Sequence, residues 1–110
     1  MATLFSRIIS GEIPADIVYQ DPHVVAFRDL NPQAPVHILI VPRQEISGLA
    51  EVPDQGDHLY ILGAARKIAE QFALGNGYRL VINQGEDAGQ TVPHLHAHLL
   101  GGRAFGWPPG

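Results

Sequence analysis

The sequence predicts an α+β domain built around an antiparallel sheet, and three features of its 110 residues carry that expectation. Short segments rich in β-branched residues recur between turn signals, one central stretch has helical periodicity, and the strands follow one another in hairpin-like order. The last strand-like segment carries the chemistry. In Gln90-Thr91-Val92-Pro93-His94-Leu95-His96-Ala97-His98-Leu99-Leu100, three of the six histidines stand at two-residue spacing. In an extended strand successive side chains point to opposite faces, so His94, His96 and His98 share one face and Leu95, Ala97 and Leu99 the other. A helix would fan the imidazoles around its axis.

Taken in order, Leu4, Phe5, Ile8 and Ile9 form one helical stripe and Gly11 offers a stop, so a short helix opens the chain. Ile13, preceding Pro14, is pushed into extended backbone. Ile17–Gln20 and His23–Arg28 read as two strands around the Asp21-Pro22 turn, with Val25, Phe27 and Asp29 on one face. Asn31–Pro35 is loop, since its prolines suit no ladder. His37–Val41, closed by Pro42, is apolar enough for a central strand. Between Asp54 and Leu74, apolar residues recur at three- and four-residue steps (Ile61, Leu62, Ala65, Ile68, Ala69, Phe72), which predicts the longest helix, capped near Asp54 or Asp57 and released at Gly75 or Gly77. Tyr78–Asn83 is a further strand, and Gly85–Gly89 a turn feeding the histidine strand. Residues 1–110 are expected to form one domain, with 102–110 as an extended C-terminal arm because of Trp107-Pro108-Pro109.

The composition narrows the function. A formal net charge of −4 and 45% hydrophobic residues fit a soluble globular protein and give no bulk attraction to nucleic acid or anionic membranes. A phosphate ligand would therefore need a local positive field. The absence of cysteine excludes disulfides, thiolate catalysis and Cys-type zinc sites. The opening residues lack a long apolar core and a basic leader, and no apolar run reaches membrane-spanning length, so the expected location is cytoplasmic. A domain of this size with a cleft is expected to dimerise.

His23 and His58, each alone, read as surface or hydrogen-bonded structural residues. Three imidazoles on one face are different, because packing does not favour the repeat and charged rings would repel. Two chemistries suit them. One is a three-histidine metal site, which alternate strand positions can form; against it, nothing from Leu99 to Gly110 is Asp, Glu, His or Cys. The other is nucleophilic, with His96 attacking phosphorus and the flanking His94 and His98 fixing its tautomer and serving the leaving group. The backbone amides of Gly89, Gln90 and Thr91 and the Thr91 hydroxyl can hold phosphate oxygens.

The run His94-Leu95-His96-Ala97-His98-Leu99-Leu100 resembles the histidine-triad signature, in which histidines alternate with apolar residues. The likeness extends to Ile8–Ala15, to Ala26–His37, to Asn83-Gln84-Gly85 through Gly89-Gln90, and to Gly101-Gly102-Arg103 with Trp107-Pro108-Pro109-Gly110. Together these are similar to the histidine triad nucleotide-binding (HINT) branch. That resemblance implies a five-stranded antiparallel sheet with two helices, continued across a homodimer. It also implies a purine nucleotide phosphoramidase, cleaving P–N bonds of AMP or GMP conjugates without a cofactor. By position, His96 is the implied nucleophile, His98 touches the scissile phosphate, and His37 and His94 support them. Asp29 is implied to bind ribose beside Leu30; Phe5, Ile8, Ile13, Phe27 and Leu39 wall the base; Asn83, Gly89, Gln90 and Thr91 hold the phosphate side. Read without the resemblance, Phe27 suits ordinary core, and Asp29 and Asn83 suit turn capping. Thr91 stands where relatives commonly carry serine, and Pro93 removes one amide donor before the first histidine. The third histidine separates the chain from the transferase branch, which has glutamine there. Dinucleoside polyphosphate hydrolysis, metal binding and a nucleotide-binding scaffold remain the alternatives.

Overall fold

The computed structural model describes residues 2–110. Helix α1 spans Leu4–Ile9 and begins at a capping box: Thr3 Oγ1 accepts the Ser6 amide at 3.1 Å while Ser6 Oγ accepts the Thr3 amide at 2.7 Å. Gly11, at φ +83°, takes the left-handed conformation that ends it. Strands β1 (Ile17–Gln20) and β2 (Val24–Arg28) pair antiparallel around a turn in which Asp21 Oδ1 accepts the amides of His23 and Val24. Strand β3 is Val36–Pro42, helix α2 Ile61–Gln71, strand β4 Tyr78–Val81 and strand β5 Ala97–Gly101. The five strands form one antiparallel sheet in the order β1-β2-β3-β5-β4. The expected α+β architecture, with one longer and one shorter helix, is what the chain adopts. Among the described residues no helix is long and apolar enough to cross a membrane.

The sheet has two apolar faces. Ala26, Ile38, Ile40, Ala97 and Leu99 pack with Ile61, Ala65 and Ile68 of α2. Val25, Phe27, Leu39 and Val41 point the other way, against Phe5 and Ile8 of α1. The strand period alone sorts these residues between the two layers.

Strand ends move by one or two residues from the sequence expectation, and three boundaries differ by more. Helix α2 begins at Ile61 rather than at an Asp54 or Asp57 cap, because the Asp57 carboxylate is engaged elsewhere: Oδ1 meets His23 Nδ1 at 2.9 Å and Oδ2 accepts the Gln44 amide at 3.0 Å. Residues Asp57–Tyr60 form a 3-10 turn leading into it. The helix ends at Gln71, and the left-handed residue after it is Ala73, at φ 56°, not a glycine. Strand β5 begins at Ala97, so His94 and His96 precede the ladder. Pro93 has no amide to give, the His94 amide turns back to the Val92 carbonyl, and the Leu95 amide goes to the Ile46 carbonyl.

Leu99 is fully buried between the β3 and β4 ladders and helix α2. Leu99→Ala is expected to lower unfolding stability by about 3 kcal/mol, the transfer loss plus a cavity. Urea titration at matched protein concentration measures it.

Candidate functional site

The β3 and β5 register sets the centre of the site. Leu39 pairs with His98 and His37 with Leu100, so His37 and His98 are diagonal neighbours on one face. Their rings meet: His37 Nε2 lies 2.9 Å from His98 Nδ1. Asp29, just past β2, brings Oδ2 to 3.5 Å from the same His37 nitrogen, while its Oδ1 accepts the Asn31 amide at 2.8 Å. His96 and His98 stand side by side with ring centroids 5.1 Å apart, and Phe5 of α1 meets the His96 ring edge-on at 4.9 Å.

Backbone groups place the hydrogens of His37, His94 and His96, and the His37 ring places that of His98. The Gln33 amide donates to His37 Nδ1 at 3.0 Å, so the neutral ring of His37 carries its hydrogen on Nε2 and directs it at His98 Nδ1. His98 Nδ1 is then an acceptor, and its own hydrogen sits on Nε2. That Nε2 is buried and has no partner among the described residues. His96 Nδ1 lies 2.7 Å from the His94 carbonyl, which can only accept, so its hydrogen is on Nδ1 and the lone pair on Nε2. His94 Nε2 donates to the Pro42 carbonyl at 3.0 Å, and the Thr3 hydroxyl stands 3.5 Å from Nδ1. The triad therefore has unequal members: His94 is fully tied, His96 offers a lone pair and His98 offers an N–H.

Burial lowers the proton affinity of three of the rings. Desolvation pushes His98 down to about 4, reinforced by the neighbouring His96 and His37 and opposed by Asp29. His37 is lowered by the same desolvation, with Asp29 opposing. His94 is lowered by burial too, against the Pro42 carbonyl and Glu45 and with His96 adding to the shift.

A cavity of about 290 Å³ opens in front of His96 and His98. Phe5, Ile8, Ile13, Phe27 and Leu39 give it an apolar lining, which Asp29, Leu30 and Thr91 share. Every base-wall residue singled out from the sequence is thus in one place. His37 and His94 stand behind the lining. Asn83, Gly89 and Gln90 are not brought to this cavity. Asn83 lies beyond the end of β4, and Gly89, at φ 82°, closes the 3-10 turn Glu86–Ala88. The Gln90 carboxamide is consumed within the protein: Oε1 accepts the Gly85 amide, and Nε2 donates to the Ser47 and Val92 carbonyls. The sequence reading missed Thr3, Gln33 and Pro42. The groups that Gln33 and Pro42 contribute are main-chain ones, which no side-chain pattern announces.

The donor set does not suit a metal. Ligand atoms of Asp29, His37 and His98 lie within 4.8 Å of one another. A metal on His37 Nε2 would move the ring hydrogen to Nδ1, where the Gln33 N–H already points. The 2.9 Å between the two ring nitrogens is also shorter than the roughly 3.3 Å between tetrahedral zinc ligands with bonds of about 2.0–2.1 Å. His94, with Nε2 on the Pro42 carbonyl, does not converge with the other two triad rings on an ion.

The chain belongs to the HIT domain family, whose model matches residues 10–105. It is 54% identical over 110 residues to an uncharacterized HIT-like protein of Synechococcus elongatus, covering 98% of this chain and 96% of that protein. It is 50% identical over 114 residues to the 14 kDa zinc-binding protein of Zea mays, covering 98% of this chain and 88% of that one. A HIT family hydrolase of known structure from Legionella pneumophila superposes with a TM-score of 0.95 at 47% identity, covering 99% of this chain and 100% of the other.

The buried neutral rings have a consequence for stability. Above pH 6.5 His37, His94 and His98 are neutral folded and unfolded alike, and their contribution is fully present. As pH falls from 6.5 towards about 4, the unfolded chain takes up protons that folded His98 refuses, so stability falls with pH. Urea midpoints measured between pH 7 and pH 5 should decline, and less steeply in His98→Asn; equal slopes in the two proteins would contradict the assignment of a neutral His98.

Proposed function

We propose that this protein is a purine nucleotide phosphoramidase of the HINT branch, hydrolysing the P–N bond of AMP or GMP conjugates through a nucleotidyl-histidine intermediate. One observation carries the reading. A lone-pair nitrogen on His96 and an unpartnered N–H on His98 belong to rings that line one largely apolar cavity together with the Asp29 carboxylate. A mononucleotide has that division of chemistry: a phosphate, a pair of ribose hydroxyls and a flat apolar base. The cavity volume of about 290 Å³ lies at the lower end of the range of small-molecule sites, roughly 300–1,000 Å³. The name of the Legionella relative, a HIT family hydrolase, supports hydrolysis.

In this reading the base lies among Phe5, Ile8, Ile13, Phe27 and Leu39, and the ribose hydroxyls donate to Asp29, beside Leu30. His96 Nε2 attacks phosphorus. The P–N bond breaks, and the nitrogen leaves as an amine with a proton delivered from solvent through the Thr91 hydroxyl. His98 stays neutral and donates its Nε2 hydrogen to a phosphate oxygen, stabilising the charge that builds there. The His94 carbonyl holds the His96 Nδ1 hydrogen and stabilises the positive ring as phosphorus attaches. Water then attacks phosphorus, gives its proton to solvent, and releases the nucleotide and free His96. No metal enters either step.

The same reading makes the protein a cytoplasmic homodimer that acts on nucleotides and binds neither nucleic acid nor membrane. An edge strand supports the dimer: β4 pairs only with β5, and Tyr78 on β4 and Leu62 on α2 are exposed apolar side chains.

His96→Ala is expected to abolish turnover of an AMP amide while leaving AMP affinity within about tenfold, or 1.4 kcal/mol. Mass spectrometry of wild-type protein quenched during turnover should find AMP on His96, and activity should survive a strong chelator. Faster cleavage of a diadenosine polyphosphate than of the amide would move the protein to another branch of the family.

A further inference from the structure

The hydrogen on His98 Nε2 depends on a residue two hydrogen bonds away. The Gln33 amide fixes the His37 tautomer, and Gln33 sits in the exposed, proline-flanked loop between β2 and β3. Local bonds brace this loop, with the Asn31 amide on Asp29 Oδ1 at 2.8 Å and Gln33 Nε2 on the Asn31 carbonyl at 3.0 Å, but neither holds the Gln33 peptide groups themselves. The Gln33 main chain is instead gripped from both sides. While its N–H donates to His37 Nδ1 at 3.0 Å, its carbonyl accepts from Arg103 Nε at 3.3 Å and Nη2 at 3.1 Å, a forked contact that only a guanidinium supplies. Arg103 follows β5 at the start of the C-terminal arm. Its guanidinium lies 4.1 Å from the centre of the Phe105 ring, and Arg79 of β4 lies 5.1 Å from the same ring and donates to the Gly106 carbonyl at 2.9 Å. The arm is thereby fastened to β4, and Arg103 reaches from it to the loop.

We propose that Arg103 is a positioning residue for the candidate active site: by clamping the Gln33 carbonyl it keeps the Gln33 N–H on His37 Nδ1, and so keeps the His98 hydrogen on Nε2. The consequence for turnover rests on the phosphoramidase reading; the tautomer assignment does not. The His37–His98 hydrogen bond has two arrangements. In one, both rings carry their hydrogen on Nε2, and His98 presents a donor to the cavity. In the other, the His37 hydrogen moves to Nδ1, the bond reverses, and His98 presents a lone pair that a phosphate oxygen repels. A Gln33 amide held at Nδ1 is incompatible with the second arrangement, since two donors would face each other. Releasing the loop removes that veto. Arg103 therefore links the arm to a donor it never touches.

The test compares wild-type protein with Arg103→Ala and Arg103→Lys, the latter keeping charge and stem without the fork. Nitrogen-15 NMR of the ring nitrogens reports which of Nδ1 and Nε2 is protonated in His37 and His98, with no substrate present. Wild type should show protonated Nε2 on both rings. Arg103→Ala should show mixed tautomers at both, with kcat for an AMP amide reduced about tenfold and KM within twofold; Arg103→Lys should fall between. Ring spectra unchanged in both variants would overturn the proposal, whatever happens to kcat, because the arginine would then only tether the arm. If wild type turns over no AMP amide, the phosphoramidase reading fails, and the ring spectra still decide the role of Arg103.

Discussion

Histidines can be buried side by side on a sheet only if each is neutral and each hydrogen has a defined place. A charged ring in this setting would meet desolvation and its neighbours' repulsion together, which is why His98 is pulled down to about 4. Neutrality alone leaves two tautomers per ring, and an arrangement of wrong tautomers would leave buried donors facing donors. The protein resolves the choice with main-chain atoms: the Gln33 amide at His37, the Pro42 carbonyl at His94 and the His94 carbonyl at His96. These partners do not titrate and hardly rotate, so the donor and acceptor pattern is set before any ligand arrives. What remains unpaired is confined to one lone pair and one N–H.

The sheet makes this possible by dividing labour between its faces. The face under α2 buries Leu95, Ala97 and Leu99 with the fully buried Ile38, Ile40 and Ile68, and supplies the apolar contact that holds β5 against β3. The opposite face is then free to place polar rings, because the strands that carry them are already anchored. Helix α1 closes this second layer with Phe5, which touches His96, Phe27 and the cavity at once. Its six residues would not persist as an isolated helix, and a capping box together with burial of Phe5 and Ile8 offsets that. Residues 4–9 also precede the stretch matched by the family model, although they furnish part of the cavity wall.

Much of this was legible in the residues. Period two puts Val25, Phe27 and Asp29 together on one face of β2 before any pairing is known. The identities of the strands followed from β-branched runs and turn chemistry, whereas the hairpin-like order holds only in part, since β5 inserts between β3 and β4. The failures have physical causes. Asp57 looked like a cap because an acid before a helical stripe usually is one, yet its carboxylate joins His23 to Gln44 across the turn. The histidine strand looked continuous because its spacing is regular, whereas a proline and two diverted amides delay the ladder to Ala97. The Gln90 carboxamide ties three loop segments, a structural part that its place after the glycine turn does not announce. In each case a polar side chain or a backbone amide had more than one partner to choose from, and only the tertiary arrangement decides.

That tie gives Gln90 a different importance from the one its position suggests. Its three contacts reach the turn before it, the Ser47 loop and the Val92 carbonyl, so the segment carrying Thr91 is held from both ends of the approach to His94. The Val92 carbonyl also accepts the His94 amide, and the Leu95 amide is tied to Ile46 in the same loop as Ser47. Thr91 keeps an exposed side chain in the cavity lining while the backbone on either side of it is fixed. On the proposed reading, in which the Thr91 hydroxyl passes a proton, that combination serves it: freedom for the hydroxyl to rotate towards either partner, and none for the Cα that carries it. The extra methyl of threonine over serine restricts χ1 further and leaves the hydroxyl its rotation. The segment that brings Thr91 to this cavity is therefore held by one carboxamide that does not line it.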